Sequence, residues 1–382
     1  MLRCTARHTH RATRRALNFN AWSRTALPLF LACSLALPLH SQSAGGSRQA
    51  APRNPAGESS RTSVSPAPAS AIRDRSAASD NGSASTSGGP RVPNELGRIP
   101  IVEWHQVVDA DGTYKVSRER FLAELTELHA RGYVPISLGD YLDRKIDIPA
   151  GKSPVLFTFD DASPSQFSYI ERNGQLVIDP KSAMGILGDF IKKHPDWKPR
   201  GVFCLLPAAQ VGHAFFGDKG IAGQKSEWRL QKVQYLAQQG YDLCNHTLWH
   251  AQLNKYSEAV VQEQLARGVM AIDSAVPGYK VRALALPYGI WPKNRALAYG
   301  GSWYDRKSKR DIKYNNEAVF EVAGGPARSP HDPEFNARKL PRVPLQGGTK
   351  LKPTLDAMDK PGPMSRYVSD GNLAVVAKLP GK

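Results

Sequence analysis

Val155-Leu156-Phe157-Thr158-Phe159-Asp160-Asp161 sets five apolar or β-branched residues directly before two carboxylates. A run this short and this apolar reads as a strand buried on both faces. Similar stretches recur on either side of it, at Ile99–Glu103, Val202–Leu206, Tyr241–Cys244, Ala283–Leu286, Ala318–Val322 and Leu340–Val343. Helical patterns separate them. One runs from Ser117 to Ala130, with Ser117 as N-cap, Glu119 near its start and Gly132 after its end. Others cover Ser182–Lys193, ended by Pro195, Glu227–Gln239, closed by Gly240, and Ser257–Ser274, with a short one at Pro292–Ala298. Phe167–Ile178 reads as a hairpin turning at Asn173-Gly174. Strands alternating with helices predict a parallel sheet covered on both faces, either an α/β barrel or a doubly wound sheet. In both, reactive groups gather at the C-terminal ends of strands. Asp160 and Asp161 stand at one such end, Asn245 and His246 at another, and Pro287 and Tyr288 at a third.

The chain has 382 residues and a net charge of +17. Its first hundred residues differ in composition from the rest, so one folded domain of about 250 to 280 residues is expected, a size that one core can serve. Residues 1–44 carry six arginines, an apolar run from Ala26 to Leu39, and then small and polar residues. That order fits a secretory signal and an exported protein, periplasmic, extracellular or envelope-associated; the same run is also open to reading as an N-terminal anchor. Residues 45–97 are rich in Ser, Ala, Gly, Pro and Arg and nearly lack large apolar side chains, the composition of a disordered linker. Residues 98–346 form the expected folded domain, and 347–382 a C-terminal tail. The positive charge suits association with anionic wall polymers or a membrane surface. No nucleic-acid recognition motif accompanies it.

Two adjacent carboxylates at a strand end repel each other, and a nearby cation relieves that cost. His246 and His250, in Asn245-His246-Thr247-Leu248-Trp249-His250, can reach one point if the segment turns helically. One carboxylate, two imidazoles and a water make a catalytic zinc shell, which leaves the second carboxylate to act as a base. Such a shell also accepts cobalt, nickel or manganese.

Thr158-Phe159-Asp160-Asp161, Asn245–His250 and Leu286-Pro287-Tyr288-Gly289 resemble, in order, the first three motifs of the NodB-like polysaccharide deacetylases, the family 4 carbohydrate esterases. Ile99–His105 and Leu340–Val343 are similar to further parts of that family, and the resemblance covers about Arg98 to Leu345. It implies a distorted (β/α) barrel of seven or eight strands. It also implies a metal-dependent hydrolase that removes N-acetyl or O-acetyl groups from a cell-wall or extracellular polysaccharide. Asp161, His246 and His250 would be the metal ligands, with zinc first among the ions. Asp160 would be the base, and the Tyr288 N–H would hold the oxyanion.

The sequence departs from the family pattern at three places. Ala162 stands where a glycine usually follows the paired aspartates. Ala285 stands where an arginine usually begins the third motif; Arg342 is the candidate to replace it. The C-terminal Leu-x-His that supplies the acid is missing, since no histidine follows Leu345. In relatives that open on a strand ending in histidine, that residue can be the acid, which makes His105 the first candidate and His331 the second. A catalytically weak wall-binding protein on the same scaffold is the alternative reading, and a hydrolase of cyclic amides a third. Trp249, Trp291 and Trp303 are expected to serve packing before sugar stacking.

Overall fold

The computed structural model describes residues 91–208 and 214–379. The expected signal, and the linker up to residue 90, lie outside the described residues. Among the described residues, no helix is long and apolar enough to cross a membrane.

The chain opens with β1 (Ile101–Trp104), β2 (Gln106–Val108), β3 (Lys115–Ser117), α1 (Arg118–Ala130), β4 (Tyr133–Pro135) and α2 (Leu138–Leu142). β5 (Ser153–Asp160), the hairpin β6 (Tyr169–Arg172) and β7 (Gln175–Ile178), α3 (Ala183–Lys193) and β8 (Val202–Leu205) follow. Then come α4 (Trp228–Gln239), β9 (Asp242–Asn245), α5 (Glu258–Ala275) and β10 (Ala283–Ala285). A second hairpin, β11 (Gly300–Asp305) and β12 (Arg310–Asn315), precedes β13 (Ala318–Phe320), β14 (Val343–Pro344) and α6 (Leu351–Met358).

The main sheet runs β13-β10-β9-β8-β5-β1-β14, all parallel, with β4 pairing the start of β5. Its two edges meet. Leu340 pairs with Phe320 of β13, and within the same short stretch Val343 pairs with Val102 of β1. Leu345 N–H then donates to the Glu103 carbonyl at 2.8 Å. One segment therefore closes the sheet into a distorted barrel, which decides between the two architectures that the alternation allowed.

Every residue of β5 is buried. The ring of Phe159 stacks on that of Phe203 at 4.6 Å, and Trp104 lies 5.4 Å from Phe159 on the other side. Each such side chain contributes about 1.5–3 kcal/mol on burial. The helices start where their caps predict: Ser117, Ser182 and Ser257 each accept a backbone N–H of the first turn. Cys204 and Cys244 are buried register partners on the parallel neighbours β8 and β9.

Several expectations need correction. The short helix at Pro292–Ala298 is only a 3-10 turn at Arg295–Ala298, because Pro292 and the Asn294 cap delay its start. Residues 94–97 are not part of a loose linker. Asn94 and Val368 exchange backbone hydrogen bonds, and Asn94 and Glu95 are buried. The tail, whose packing the sequence leaves open, is held against the domain: α6 buries Leu351, Leu355 and Met358, and Tyr367 and Val368 are buried beyond it.

Candidate active site

The register brings the C-terminal ends of β1, β5, β8, β9 and β10 to one mouth of the barrel. His105 leaves β1, Asp160 ends β5, and His246 follows β9. After Asp160 the chain turns through two left-handed residues, Asp161 at φ 80° and Ala162 at φ 51°. Glycine meets that requirement without a Cβ clash, which gives the motif's usual glycine a physical reason. Here a buried alanine takes the conformation.

His246 and His250 do reach one point, but not by a helical turn. Thr247 and His250 have φ of 68° and 64°, and the segment is an irregular loop. Side chains hold it in that shape. Asn245 Oδ1 accepts from Thr247 N–H at 2.9 Å, and Thr247 Oγ1 accepts from His250 N–H at 3.0 Å. Asn245 is in turn anchored through Nδ2 to the Leu265 carbonyl of α5 at 2.9 Å. Gly268 makes room for it, since a Cβ there would stand 2.2 Å from Asn245 Oδ1.

Asp161 Oδ1 lies 3.2 Å from His246 Nε2 and 3.5 Å from His250 Nε2. Three ligands on a tetrahedral ion with bonds of about 2.0–2.1 Å sit about 3.3 Å apart, so this donor set fits a divalent cation. The buried His246 ring is oriented by its Nδ1, 2.9 Å from the Ala285 carbonyl, which leaves Nε2 facing the carboxylate. Burial would lower its pKa, but the Asp160 and Asp161 carboxylates raise it overall. Burial and the neighbouring His246 lower His250 to about 4. Burial would raise Asp161, yet the three histidines, His246 foremost, hold it down at about 2.

Asp160 is buried and gripped from across the barrel. Arg342, itself fully buried, donates Nη1 to Oδ1 at 2.8 Å and Nη2 to Oδ2 at 2.7 Å. This bidentate fork is the strongest form of the pair. Burial would raise the Asp160 pKa; the guanidinium outweighs that and holds it far below the usual carboxylate range. Ala285 lies inside β10 with no charge to offer, so the only guanidinium on Asp160 among the described residues comes from the closing segment. Arg342 is also fixed through Nε to the Glu321 carbonyl at 2.7 Å and lies 2.9 Å from Glu103 Oε1.

His105 Nε2 is 3.6 Å from Glu103 Oε1, and one donor atom each of Glu103, His105 and Asp160 lie within 4.8 Å of one another. Burial lowers the His105 pKa, against the pull of the two aspartates. His331 is not at this mouth. It follows the stretch in which Ala327 pairs with Ile99 at the opposite end of β1, and its N–H donates to Ser329 Oγ at 3.1 Å. Tyr288 has φ 58°, and its exposed ring lies 4.3 Å from that of His250. Trp291 and Trp303 pack against the apolar cluster around α5 and β10, whereas Trp249, on the irregular loop after β9, is 40% exposed and does not serve the packing expected of it.

Two residues of the mouth escaped the sequence reading. Glu103 is a fully buried carboxyl pushed well above its ordinary pKa by burial; an acid inside an apolar strand was the available signal. Buried Gln166 donates Nε2 to the carbonyls of both His105 and Asp160, tying the ends of β1 and β5 together. Nothing in its sequence neighbourhood marks it.

A family profile described as polysaccharide deacetylase matches residues 198–300, which include His246, His250 and Leu286–Gly289 and begin after Asp161. A chitooligosaccharide deacetylase of Sinorhizobium fredii is 32% identical over 90 residues, which is 24% of this chain and 40% of that protein. A second, from a Bradyrhizobium species, is 31% identical over 93 residues, covering 24% and 41%. The chain thus matches about two fifths of the length of these curated relatives. Among solved structures, a Streptococcus pyogenes deacetylase in complex with acetate is similar over 69% of this chain and 99% of its own, at 18% identity and a TM-score of 0.48. A Bacillus cereus polysaccharide deacetylase covers 69% of each chain, at 18% identity and a TM-score of 0.47.

Proposed function

We propose, for a chain that belongs to the NodB-like polysaccharide deacetylases, that it is a metal-dependent hydrolase of acetyl groups on a polysaccharide, N-acetyl groups first. The observation that carries this reading is the convergence of Asp161 Oδ1 with the His246 and His250 Nε2 atoms, at 3.2 and 3.5 Å, beside an Asp160 kept ionised by Arg342. Asp161, His246 and His250 would hold the ion, zinc before cobalt, nickel or manganese. When bound, a divalent cation supplies Lewis acidity to the acyl oxygen and lowers the pKa of water from 15.7 toward about 7, which a carboxylate as weakly basic as Asp160 requires.

The side chains do the rest. Asp160 takes the proton of the attacking water. The Tyr288 N–H, presented by a left-handed residue at the rim, donates to the developing oxyanion. His105, in reach of both Glu103 and Asp160, returns a proton to the leaving nitrogen. The matched relatives bear the name chitooligosaccharide deacetylase, which supports an N-acetylated amino-sugar polymer as the substrate. Export belongs to the same proposal and rests on the basic, apolar and small-residue order of residues 1–44.

The test is acetate release from a panel of acetylated glycans, with and without a chelator. Chelation and Asp160→Asn should each reduce release by at least about 10²-fold. His105→Ala should slow turnover while bound metal, read by elemental analysis, stays unchanged. Release that survives both the chelator and Asp160→Asn would end the proposal. A His105→Ala enzyme with parental turnover would remove only the assignment of the acid.

A further inference from the structure

A second group of metal-type ligands lies at the other end of the barrel. α1 and α3 end side by side there, near the start of β5. His129 is in the last turn of α1, His194 is the C-cap of α3, and Asp196 follows in the turn toward β8. His129 Nε2 is 3.0 Å from both carboxylate oxygens of Asp196. The His129 and His194 rings are 4.1 Å apart between centroids. One donor atom from each of the three residues falls within 4.8 Å of the others.

The cluster is built rather than loose. Phe190 and Trp197 form its floor, with Phe190 4.3 Å from His194 and Trp197 5.4 Å from His129 between ring centroids. Trp197 is buried, donates Nε1 to the Tyr133 carbonyl at 2.8 Å, and closes the turn through its N–H to the His194 carbonyl at 3.0 Å. The turn that carries His194 and Asp196 is therefore fixed before any ligand arrives.

A His–Asp ion pair accounts for His129 and Asp196 but not for the second imidazole, whose ring lies tilted against the first. A cation between them would be bonded by both imidazoles and the carboxylate. The backbone favours the same answer, because two helix C-termini each present about half a negative charge at this point. Among the described residues, the one ion-pair partner of Asp196 is His129; Lys152 acts on the carboxylate only from beyond ion-pair distance. All three residues keep solvent access, leaving open coordination positions for water.

We propose that His129, His194 and Asp196 form a second cation site, for a first-row transition ion such as zinc, nickel or copper, that clamps the ends of α1 and α3 away from the catalytic mouth. Two imidazoles and one carboxylate suit those ions better than calcium or magnesium. The test loads the full chain with Ni2+, removes excess metal by desalting, and counts the retained ions by elemental analysis. His194→Gln, His129→Gln and Asp196→Asn are run beside the parent, with circular dichroism to establish folding. Each folded variant should hold one ion per chain fewer than the parent, whatever the mouth retains, and should release acetate at the parental rate. Variants that keep as many ions as the parent overturn the proposal. So does a loss of acetate release together with the ion, because the site would then not be separate from the catalytic one.

Discussion

The Asp160–Arg342 pair joins two opposite charges inside the mouth, where both side chains are buried. A depressed carboxylate pKa has a definite sign. The pair stabilises the fold at every pH above the ordinary aspartate value, about 3.9, and that contribution fades only as acid approaches the lower folded value. Arg342→Met should cost about 3–5 kcal/mol at pH 7, because it leaves a buried charge without a partner. It should also raise the Asp160 pKa and move the acid limb of kcat/KM to higher pH. Urea unfolding and a pH–rate profile check the two effects, and a parental profile would show that Arg342 does not tune the base. Ala162 makes a smaller case. Its left-handed backbone costs about 1–2 kcal/mol, but glycine there would lose about 0.5–1 kcal/mol to chain entropy and about 0.8 kcal/mol of buried methyl. Ala162→Gly should therefore shift stability by less than about 1 kcal/mol in a thermal melt, a near-balance that accounts for an alanine at that position. At this scale the sequence is readable where chemistry is local. The Asp160-Asp161 pair announces itself, whereas Arg342 is separated from Asp160 by most of the domain, and only the missing arginine at Ala285 hinted at a substitute.

Among the elements, the loop carrying His246 and His250 depends on a helix that contributes no ligand. Asn245 shapes the loop, α5 holds Asn245, and Gly268 lets α5 approach. Gly268→Ala should destabilise the fold by about 1–3 kcal/mol through overpacking and lower acetate release by displacing the loop. Gly188→Ala in α3, where an added Cβ meets nothing within 4 Å, should leave activity unchanged and gain about 0.5–1 kcal/mol. Equal effects of the two substitutions in melts and assays would contradict this reading. The strands that sequence made legible are the apolar ones, and the helices those with serine caps. β2, β3 and β4 escape because three residues give no periodicity. β12 escapes because half of Arg310–Asn315 is charged and most of it is exposed, and its partner β11 opens on two glycines. The histidine spacing suggested a helical turn because four residues span one; two left-handed residues reach the same point by another route.

For the molecule as a whole, strand–helix alternation specified parallel pairing but left the choice between a barrel and an open sheet to the single segment at 340–345. The C-terminal region then wraps the outside. Arg131 of the α1 cap lies 2.6 Å from Asp356 and 2.8 Å from Asp359, and Arg98 pairs with Arg366 through the backbone. Removing residues 347–382 should expose the surface now covered by Leu351, Leu355, Met358 and Tyr367. At about 1.5–3 kcal/mol for each buried side chain, the truncated chain should melt far below the parent or fail to fold; an unchanged melting temperature would show the wrap to be dispensable. The closing segment has one further consequence. Arg342 lies within it, so the last stave of the barrel to leave the ribosome carries the counter-ion of Asp160. A half-made chain holds Glu103 and Asp160 without their cation: sealing the ring and pairing its buried carboxyl groups are a single event.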